Sequence, residues 1–417
     1  MTTYAMPRAG RSAPARQRLI HQCLLGVFGL TSLYAGSALA AATINFGEDK
    51  SITVGLGFRA AFTSAADSAP NGKSRSSDFD IYSTRLYTSA SLNKYIKGTL
   101  NIEGNDGAES SFGGAKLGEQ FRVYDAIAQF EFRPEFNIWA GRMLTPSDRS
   151  NLNGPYYLGT WLYPGLTARY PGQVAGRDTG VTVWGKLLDK RLVYSAGAFE
   201  GHNNVQGASS QDDNLLYAGR LQYDFWEADL VPAYYTASTF YGKEVLSVGL
   251  AGQYQKNGVG SAGAQGDYLG YNLDVLMEKN IGIGYLNLEG AVYKFDSDGK
   301  SDVSAALLPS TPSATANVGG IQQGKAYLAG AALLFPQQVG WGRLQPYIRY
   351  QKFDADSTSG DGVTSFNVAA SDSKQYDYGI NYVIDGHNAR ISATYTKNEF
   401  TAAQDIDKFT LGLQLQF

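Results

Sequence analysis

Charged side chains recur at alternate positions of short apolar segments along this 417-residue chain. Successive side chains of a β-strand point to opposite faces, so a charge that alternates with Leu, Ile, Val or Phe lies on the face opposite to them. Where such a face lines a pore, arginine rings favour anions and carboxylate rings favour cations. The strand phase predicts these pore-lining side chains: Arg59, Arg85, Lys97, Asp125, Glu131, Arg220, Asp224, Asp274, Glu289, Arg349, Asp377 and Arg390. For each charge taken alone, solvation of the wall or pairing with a neighbour is the simpler interpretation.

A long segment at 144–175 carries a second group of charges. It is rich in aromatic residues and punctuated by proline, which is unusual for a loop that extends freely into solvent. Folding of this segment into a barrel lumen would form an eyelet with these constriction residues: Arg142, Asp148, Arg149, Tyr157, Trp161, Arg169, Arg177 and Asp178. Arginines that face carboxylates would create a transverse field across the eyelet, and we expect a weak preference for anions at most. The alternatives are a lid outside the barrel and a contact between subunits.

Other chemistry has little support in the sequence. His202 and His387 accompany no recognisable serine motif, so the nucleophile–base pair of a hydrolase is not expected. Acidic loops at 296–302 and 354–361 have oxygen ligands at alternate positions but lack the bidentate Glu of an EF-hand, and we interpret them as solvated. The balance of 35 basic and 38 acidic residues does not fit a nucleic-acid-binding protein. No metal or cofactor is predicted.

The elements that must position these charges are strands. In the last ten residues, these apolar side chains alternate with small or polar ones: Phe409, Leu411, Leu413, Leu415 and Phe417. Apolar residues toward lipid and polar residues toward a wet lumen characterise transmembrane β-barrels. We therefore expect an all-β, antiparallel transmembrane barrel, with these five residues as the assembly signal of its closing strand. For this segment alone, a strand of a soluble sandwich is the alternative.

Alternation of period two recurs about sixteen times along the chain. The predicted strands lie near residues 52–62, 86–92, 96–103, 125–132, 136–141, 178–184, 190–199, 214–226, 244–256, 267–278, 282–295, 324–335, 343–354, 374–384, 387–397 and 408–417. Short connections alternate with long ones, which matches the short periplasmic turns and long external loops of outer-membrane barrels. The segment 227–243 breaks this rule, because it is long yet falls on the periplasmic side. It could hide two further strands and make the barrel eighteen-stranded.

The first 40 residues have the pattern of a cleaved signal peptide. A basic stretch without acids precedes an apolar run from Cys23 to Tyr34, and an Ala-Leu-Ala cleavage pattern ends at Ala40. The apolar run is too short for a transmembrane helix. We expect a signal peptide at 1–40 and a barrel domain at 41–417, which is 377 residues (417 less 40). An uncleaved amphipathic anchor is the alternative. Cys23 is the one cysteine of the sequence and lies in the part expected to be removed.

The number of strands predicts the function of such a barrel. Sixteen strands leave an aqueous channel, whereas eight strands fill with side chains. The length leaves no residues for a plug or passenger domain. We expect passive diffusion of small hydrophilic solutes across the outer membrane of a Gram-negative bacterium, with lipid and lipopolysaccharide around the barrel. The alternative is a non-conducting barrel that acts as an adhesin or as a scaffold for partner proteins.

Several segments are similar to a known family of channels. They are Ile81–Leu92, Arg133–Pro146, Gly176–Val181, Leu344–Tyr350 and Asn381–Asn388. They resemble the phosphate-selective porin O and P family, including its short-chain amide porin branch. The resemblance implies a homotrimeric, sixteen-stranded porin with an inward-folded third loop. Family phosphate pores have arginine ladders and lysine clusters, whereas this sequence has one arginine, Arg85, at the arginine-rich strand and few lumen lysines, of which Lys97 and Lys186 are the clearest. Phosphate-like anions and short-chain amides are therefore both candidate solutes.

Overall fold

Strands account for almost all regular structure in the part of the chain that the structure describes. The computed structural model describes residues 41–105, 120–165, 167, 176–201, 214–229, 231–261, 264–300, 323–356, 372–401 and 405–417. The strands are β1 Ala41–Gly47, β2 Lys50–Ala65, β3 Asp78–Ser91, β4 Ile96–Asn105, β5 Gln120–Arg133, β6 Phe136–Leu144, β7 Arg177–Leu187, β8 Leu192–Phe199, β9 Leu216–Asp224, β10 Val245–Ser261, β11 Ala264–Asn280, β12 Tyr285–Asp296, β13 Gly324–Leu334, β14 Gln338–Val339, β15 Gly342–Ala355, β16 Ser373–Asp385, β17 Ala389–Phe400 and β18 Ile406–Gln416. A short helix, α1, spans Arg149–Asn153. Within these ranges, no helix is long and apolar enough to cross a membrane.

Sixteen of these strands close into an antiparallel barrel. Consecutive strands pair from β2 to β13, β13 pairs with β15, and the series continues to β18. The ring closes between β18 and β2, in a register that runs from Lys408 opposite Ala65 to Gln416 opposite Gly57. The short strands β1 and β14 pair with β2 and β15 and do not add to the ring. The prediction of an antiparallel barrel of about sixteen strands is confirmed.

The two faces of the barrel wall differ in chemistry. In β11, Leu273 and Val275 are 49% and 40% exposed, whereas the intervening Asp274 is buried. The closing strand β18 follows the same order, with Leu411 exposed and Thr410 buried. A sheet closed on itself, apolar outside and polar inside, is the architecture of membrane-spanning β proteins. The sequence adopts it because period-two alternation gives every strand one lipid-facing and one inward-facing side.

The charges predicted to line the pore share the inward phase of the wall. Lys97, Glu131 and Glu289 are partly exposed, and the other nine are buried. Burial of an uncompensated charge is too costly to be stable. The lumen must therefore supply partners for these side chains, and the connections between strands provide many of them.

Connections at the two ends of the barrel differ in length. One end has tight turns, such as those after β5, β7 and β16, and is called the short-turn end; the other is the long-loop end. The connection of residues 225–244 between β9 and β10, called the β9–β10 segment, is long although it lies at the short-turn end. Its described residues contain no strand, so it does not make the barrel eighteen-stranded.

Candidate functional site

The loop between β6 and β7 packs against inward side chains of the wall. Its described part comprises residues 145–165, 167 and 176, and it is called the β6–β7 loop. Leu152, Tyr156 and Trp161 are almost completely buried, although large apolar residues on the outer wall are exposed. Its contacts fall into two halves, one around α1 and one at residues 156–162.

Asp148 organises the first half of the loop. It is the N-cap of α1, where its carboxylate accepts hydrogen bonds from the N–H groups of Ser150 and Asn151 at 3.1 and 3.4 Å. The Tyr293 hydroxyl of β12 donates to the same carboxylate at 2.9 Å. Burial, and after it the nearby charge of Asp274, raises the pKa of Asp148 to about 6.

Arg149 ties the first half of the loop to the wall and to the β9–β10 segment. Its side chain is buried, and Nη2 donates to Ser247 Oγ at 2.5 Å while Nη1 donates to the Ala237 carbonyl at 2.9 Å. Carboxylate oxygens of Asp229 and Asp274 lie 3.6 and 3.7 Å from its guanidinium. Two acids thus compensate a charge that has lost its hydration.

Wall side chains hold the second half of the loop through its carbonyl groups. In these contacts the side chains donate and the main chain accepts: Arg59 to Trp161 at 2.5 Å, Arg390 to Leu158 at 2.5 Å, Arg349 to Leu162 at 2.8 Å, Asn381 to Gly159 at 2.7 Å and Gln414 to Tyr156 at 3.0 Å. The donors come from β2, β15, β16, β17 and β18. Because a loop without regular structure has free carbonyls, these donors satisfy groups that burial would otherwise leave unpaired.

Trp161 fits the second half of the loop closely against the wall. The Arg59 guanidinium lies 4.2 Å from the centre of the indole, and the ring of Tyr82 meets its edge at 5.7 Å between centroids. A Cβ at Gly412 of β18 would lie 2.6 Å from the indole ring. Glycine at 412 is therefore required for this approach of loop to wall.

Four interior arginines pair with acids beside them on the wall. The pairs are Arg85 with Glu103, Arg177 with Asp125 at 2.7 Å, Arg220 with Asp274 at 2.6 Å, and Arg349 with Asp377 at 2.8 Å. All eight side chains are buried. Members of each pair lie on adjacent strands or two strands apart, not on opposite walls. In these four pairs the opposite charges are therefore compensated locally, and they do not face each other across the lumen.

Tyrosine side chains surround the guanidinium groups of Arg85 and Arg177. Tyr124 lies 5.3 and 4.9 Å from the two guanidinium carbons, and Tyr87 and Tyr156 also flank Arg85. Tyrosine faces stabilise guanidinium groups without adding charge. This part of the lumen therefore combines ion pairs with aromatic hydroxyls.

The β9–β10 segment is also part of this site, although the sequence pattern did not predict it. The Tyr234 hydroxyl donates to the Leu144 carbonyl at 2.6 Å, and the Ser238 N–H donates to the Tyr157 carbonyl at 3.1 Å. Glu278 of β11, which was also missed, shares the inward phase of Asp274 and accepts hydrogen bonds from this segment. The signal for Glu278 was its position four residues after Asp274 on a strand of period two.

The His387 imidazole packs against the Tyr157 ring at the short-turn end. The two rings are 5.0 Å apart, and the imidazole Nε2 lies 3.0 Å from the Thr239 carbonyl. Burial, and after it the positive charge of Arg390, lowers the pKa of His387 to about 3. The imidazole is therefore neutral at physiological pH, and its Nε2–H tautomer can donate to Thr239.

Two of the predicted constriction residues, Arg142 and Asp178, are not brought to this cluster. Arg142 shares the outward phase of Ala140, and its Nη1 donates to the Val123 carbonyl at 3.1 Å. Asp178 accepts from the N–H groups of Thr179 and Gly201, both at 2.7 Å, and so belongs to the end of β7 and the next loop. Arg169 lies outside the described residues.

The described acidic residues at Asp354 and Asp356 form ion pairs with nearby lysines. Asp356 accepts from Lys294 at 2.6 Å, and Asp354 pairs with Lys352 at 2.6 Å. Asp302 and Asp361 lie outside the described residues. Within those residues, no group of three or more His, Cys, Asp or Glu side chains is arranged to hold a metal ion.

Comparisons with known proteins define the class of fold. No protein-family model and no curated protein matches the chain. Among solved structures it is similar to an anion-selective porin from Comamonas acidovorans, with a TM-score of 0.54 and 14% identity over 88% of this chain and 100% of that one. It is also similar to OmpT, an outer membrane protein of Vibrio cholerae, in a trimer form folded in vitro, with a TM-score of 0.52 and 12% identity over 89% of this chain and 100% of that one. The fold is that of a sixteen-stranded outer-membrane barrel.

Proposed function

We propose that the protein is an outer-membrane porin, a water-filled channel for passive diffusion of small hydrophilic solutes. Its constriction is formed by the β6–β7 loop folded into the lumen, with Asp148, Arg149, Tyr157 and Trp161 among its residues. The contacts of this loop with inward side chains of β2, β10, β12 and β17 support this assignment. Neither a lid outside the barrel nor a subunit contact would need them.

The pairing of interior arginines is the observation that carries the choice of solute. Arg85 and Arg177 are each in contact with a carboxylate, so the aromatic part of the lumen has little net charge. Phosphate would need guanidinium groups with free donors, whereas a small neutral amide needs only groups that donate and accept hydrogen bonds. Within the phosphate-selective porin O and P family that the sequence resembles, this favours the short-chain amide type. The anion preference is weak at most.

A homotrimer is the proposed assembly. The trimer form of the similar Vibrio cholerae protein and the family resemblance support it. The exposed apolar side chains of β18, including Phe409, Leu411 and Phe417, are proposed to direct insertion of the barrel into the membrane. Deletion of Phe417 should then reduce the yield of folded barrel in the outer membrane.

A non-conducting barrel is the second candidate function. It is favoured by the contacts inside the barrel: the β6–β7 loop and the β9–β10 segment contact each other as well as the wall, and so fill part of the lumen. In that case the long loops would serve as an adhesin or as a scaffold for partner proteins.

Single-channel recording of the refolded protein in a planar bilayer separates the two functions. The porin assignment predicts stepwise conductance in groups of three, a small reversal potential in a KCl gradient, and little block by added phosphate. Strong phosphate block would instead favour the phosphate type. Absence of conductance from correctly folded barrels would contradict the porin assignment and favour the scaffold.

A further inference from the structure

The β9–β10 segment folds back into the barrel from the short-turn end. Main-chain hydrogen bonds continue just past the ends of β9 and β10. The last of them joins the Glu227 N–H to the Glu244 carbonyl at 3.1 Å. A tight turn could follow there, as it does after β7. Instead, the chain makes an excursion over residues 228–243, of which Tyr234, Ala237 and Thr239 are 3% exposed or less.

Inward side chains of the wall hold this excursion. Glu278 accepts hydrogen bonds from the Thr239 hydroxyl and from the N–H groups of Phe240 and Gly242, at 2.8 to 2.9 Å. Lys186 of β7 donates to the Val231 carbonyl at 2.6 Å. A carboxylate that accepts three such bonds is a strong anchor for a segment without regular structure.

The excursion reaches the β6–β7 loop, which enters from the opposite end. Thr236 Oγ1 donates to the Arg149 carbonyl at 2.7 Å, and Ser238 Oγ accepts from the Gly159 N–H at 2.6 Å. Asp229 supplies one of the two acids near Arg149. Two insertions from opposite ends of the barrel therefore meet and hold each other.

The filled and open parts of the inner wall differ. On β9 to β11, the polar inward side chains Gln222, Ser247 and Asn272 are buried. On β3 and β4, Tyr87 and Asn101 are partly exposed although they share the inward phase. Toward the short-turn end, inward side chains of the β3–β5 wall are therefore less covered than those of β9 to β11. Farther along the barrel the β6–β7 loop reaches this wall, where the Tyr156 hydroxyl lies 2.8 Å from Ser83 Oγ.

We propose that the β9–β10 segment is a second constriction element, which narrows the channel at the short-turn end and confines the path of solutes there to the β3–β5 wall. The proposal rests on the proposed porin function. Along that wall Tyr87, Thr99 and Asn101 offer hydroxyl and amide groups, followed by the Lys97–Glu131 ion pair. A passage of this composition suits small neutral solutes that both donate and accept hydrogen bonds.

Replacement of residues 228–243 by Asn-Gly tests the proposal, since this dipeptide closes a two-residue hairpin turn. The single-channel conductance should rise roughly twofold or more, because removal of one of two insertions widens the lumen. The largest polyethylene glycol that enters the channel should also increase in size. As a control, replacement of Leu188–Lys190, in the turn after β7, by three glycines should change neither property.

The outcomes separate this proposal from the porin assignment. A conducting parent protein and an unchanged conductance in the shortened variant would overturn the second constriction and leave the porin intact. A closed parent and a conducting variant would contradict the porin assignment but support occlusion by the segment. If neither folded protein conducts, both are contradicted.

Cysteine variants provide a test that does not depend on the folding of the shortened chain. With Cys23 expected to be cleaved, Ser238→Cys introduces a single thiol, and Ser238 is 2% exposed. Its reaction with a membrane-impermeant maleimide should be at least about tenfold slower than that of Asp189→Cys, a control in an exposed turn at the same end. The Gly159→Cys/Ser238→Cys pair should form a disulfide, because Ser238 Oγ lies 3.4 Å from the position of a Cβ at 159. Equal labelling and no disulfide would overturn the proposal.

Discussion

The two halves of the β6–β7 loop are held by arginines whose charges are compensated in different ways. Arg149, in the first half, lies near the carboxylates of Asp229 and Asp274. Arg390, which holds the second half, donates to the Leu158 carbonyl. A carboxylate cancels the guanidinium charge, whereas a carbonyl accepts the hydrogen bond and leaves the charge in place. Similar contacts with the loop thus have different consequences for stability and for ion selectivity.

The difference predicts which half is more sensitive to substitution. Removal of one member of a buried ion pair leaves the other charge buried and uncompensated, which costs more than a lost hydrogen bond to a neutral group. The first half should therefore respond in stability and in pH dependence. The second half should respond mainly in ion selectivity.

The largest effect is expected from Arg149→Met. Asp229 loses its nearby guanidinium, and the free energy of unfolding should fall by about 3–5 kcal/mol. Urea unfolding in detergent micelles, followed by tryptophan fluorescence, measures this change. Arg142→Met is the matched control, because Arg142 is partly exposed on the outward phase, and it should change stability by less than about 0.5 kcal/mol. Equal effects of the two substitutions would contradict the ion-pair account of the first half.

The next effect is a pH dependence at Asp148. Its pKa is raised to about 6 in the folded protein, so the stability linked to its protonated form is present below its ordinary pKa of 3.8 and is lost as pH rises through 6. Asp148→Asn keeps an N-cap oxygen but cannot ionise. Relative to the parent, it should gain roughly 2.5 kcal/mol in free energy of unfolding between pH 4 and pH 7.5, since each pKa unit corresponds to about 1.4 kcal/mol. A difference that stays constant across this range would contradict the burial of an ionisable Asp148.

Arg390→Met should have a smaller effect on stability and a clear effect on selectivity. Loss of its bonds to loop carbonyls should cost about 1.5–3 kcal/mol, the range for hydrogen bonds that involve a charged group. Because carbonyls do not cancel its charge, the reversal potential in a KCl gradient should move toward cations. An unchanged reversal potential would show that Arg390 does not contribute to the field in the channel.

Much of the fold follows from alternation in the sequence. Period two places Arg85 and Arg349 on the inward face and Leu411 on the outward face without knowledge of any partner strand. Continued from Ala140, the same rule places Arg142 outward, and its selection as a constriction residue came from its nearness to the loop in sequence. The phase of a strand was therefore a better guide than proximity along the chain.

The partners of the charges could not be derived in the same way. Arg177 meets Asp125 across two strand boundaries, and this contact depends on register as well as phase. The path of the β9–β10 segment cannot be read from a sequence period, because its described residues form neither strand nor helix. Its length at the short-turn end and its apolar Val-Pro-Ala-Tyr-Tyr composition were the available signals of burial, and they do not specify where the segment goes.

The reversal potential of Glu103→Gln in a KCl gradient tests the central claim, that a carboxylate in contact with an interior arginine cancels the charge of that arginine. The substitution should uncover Arg85 and move the reversal potential toward anions, whereas Arg85→Gln should move it toward cations and the double substitution should restore the parent value. Glu399→Gln is the matched control, since it removes an acid that pairs with Lys397 on the outward phase. A shift from Glu103→Gln no larger than that from Glu399→Gln would contradict the account.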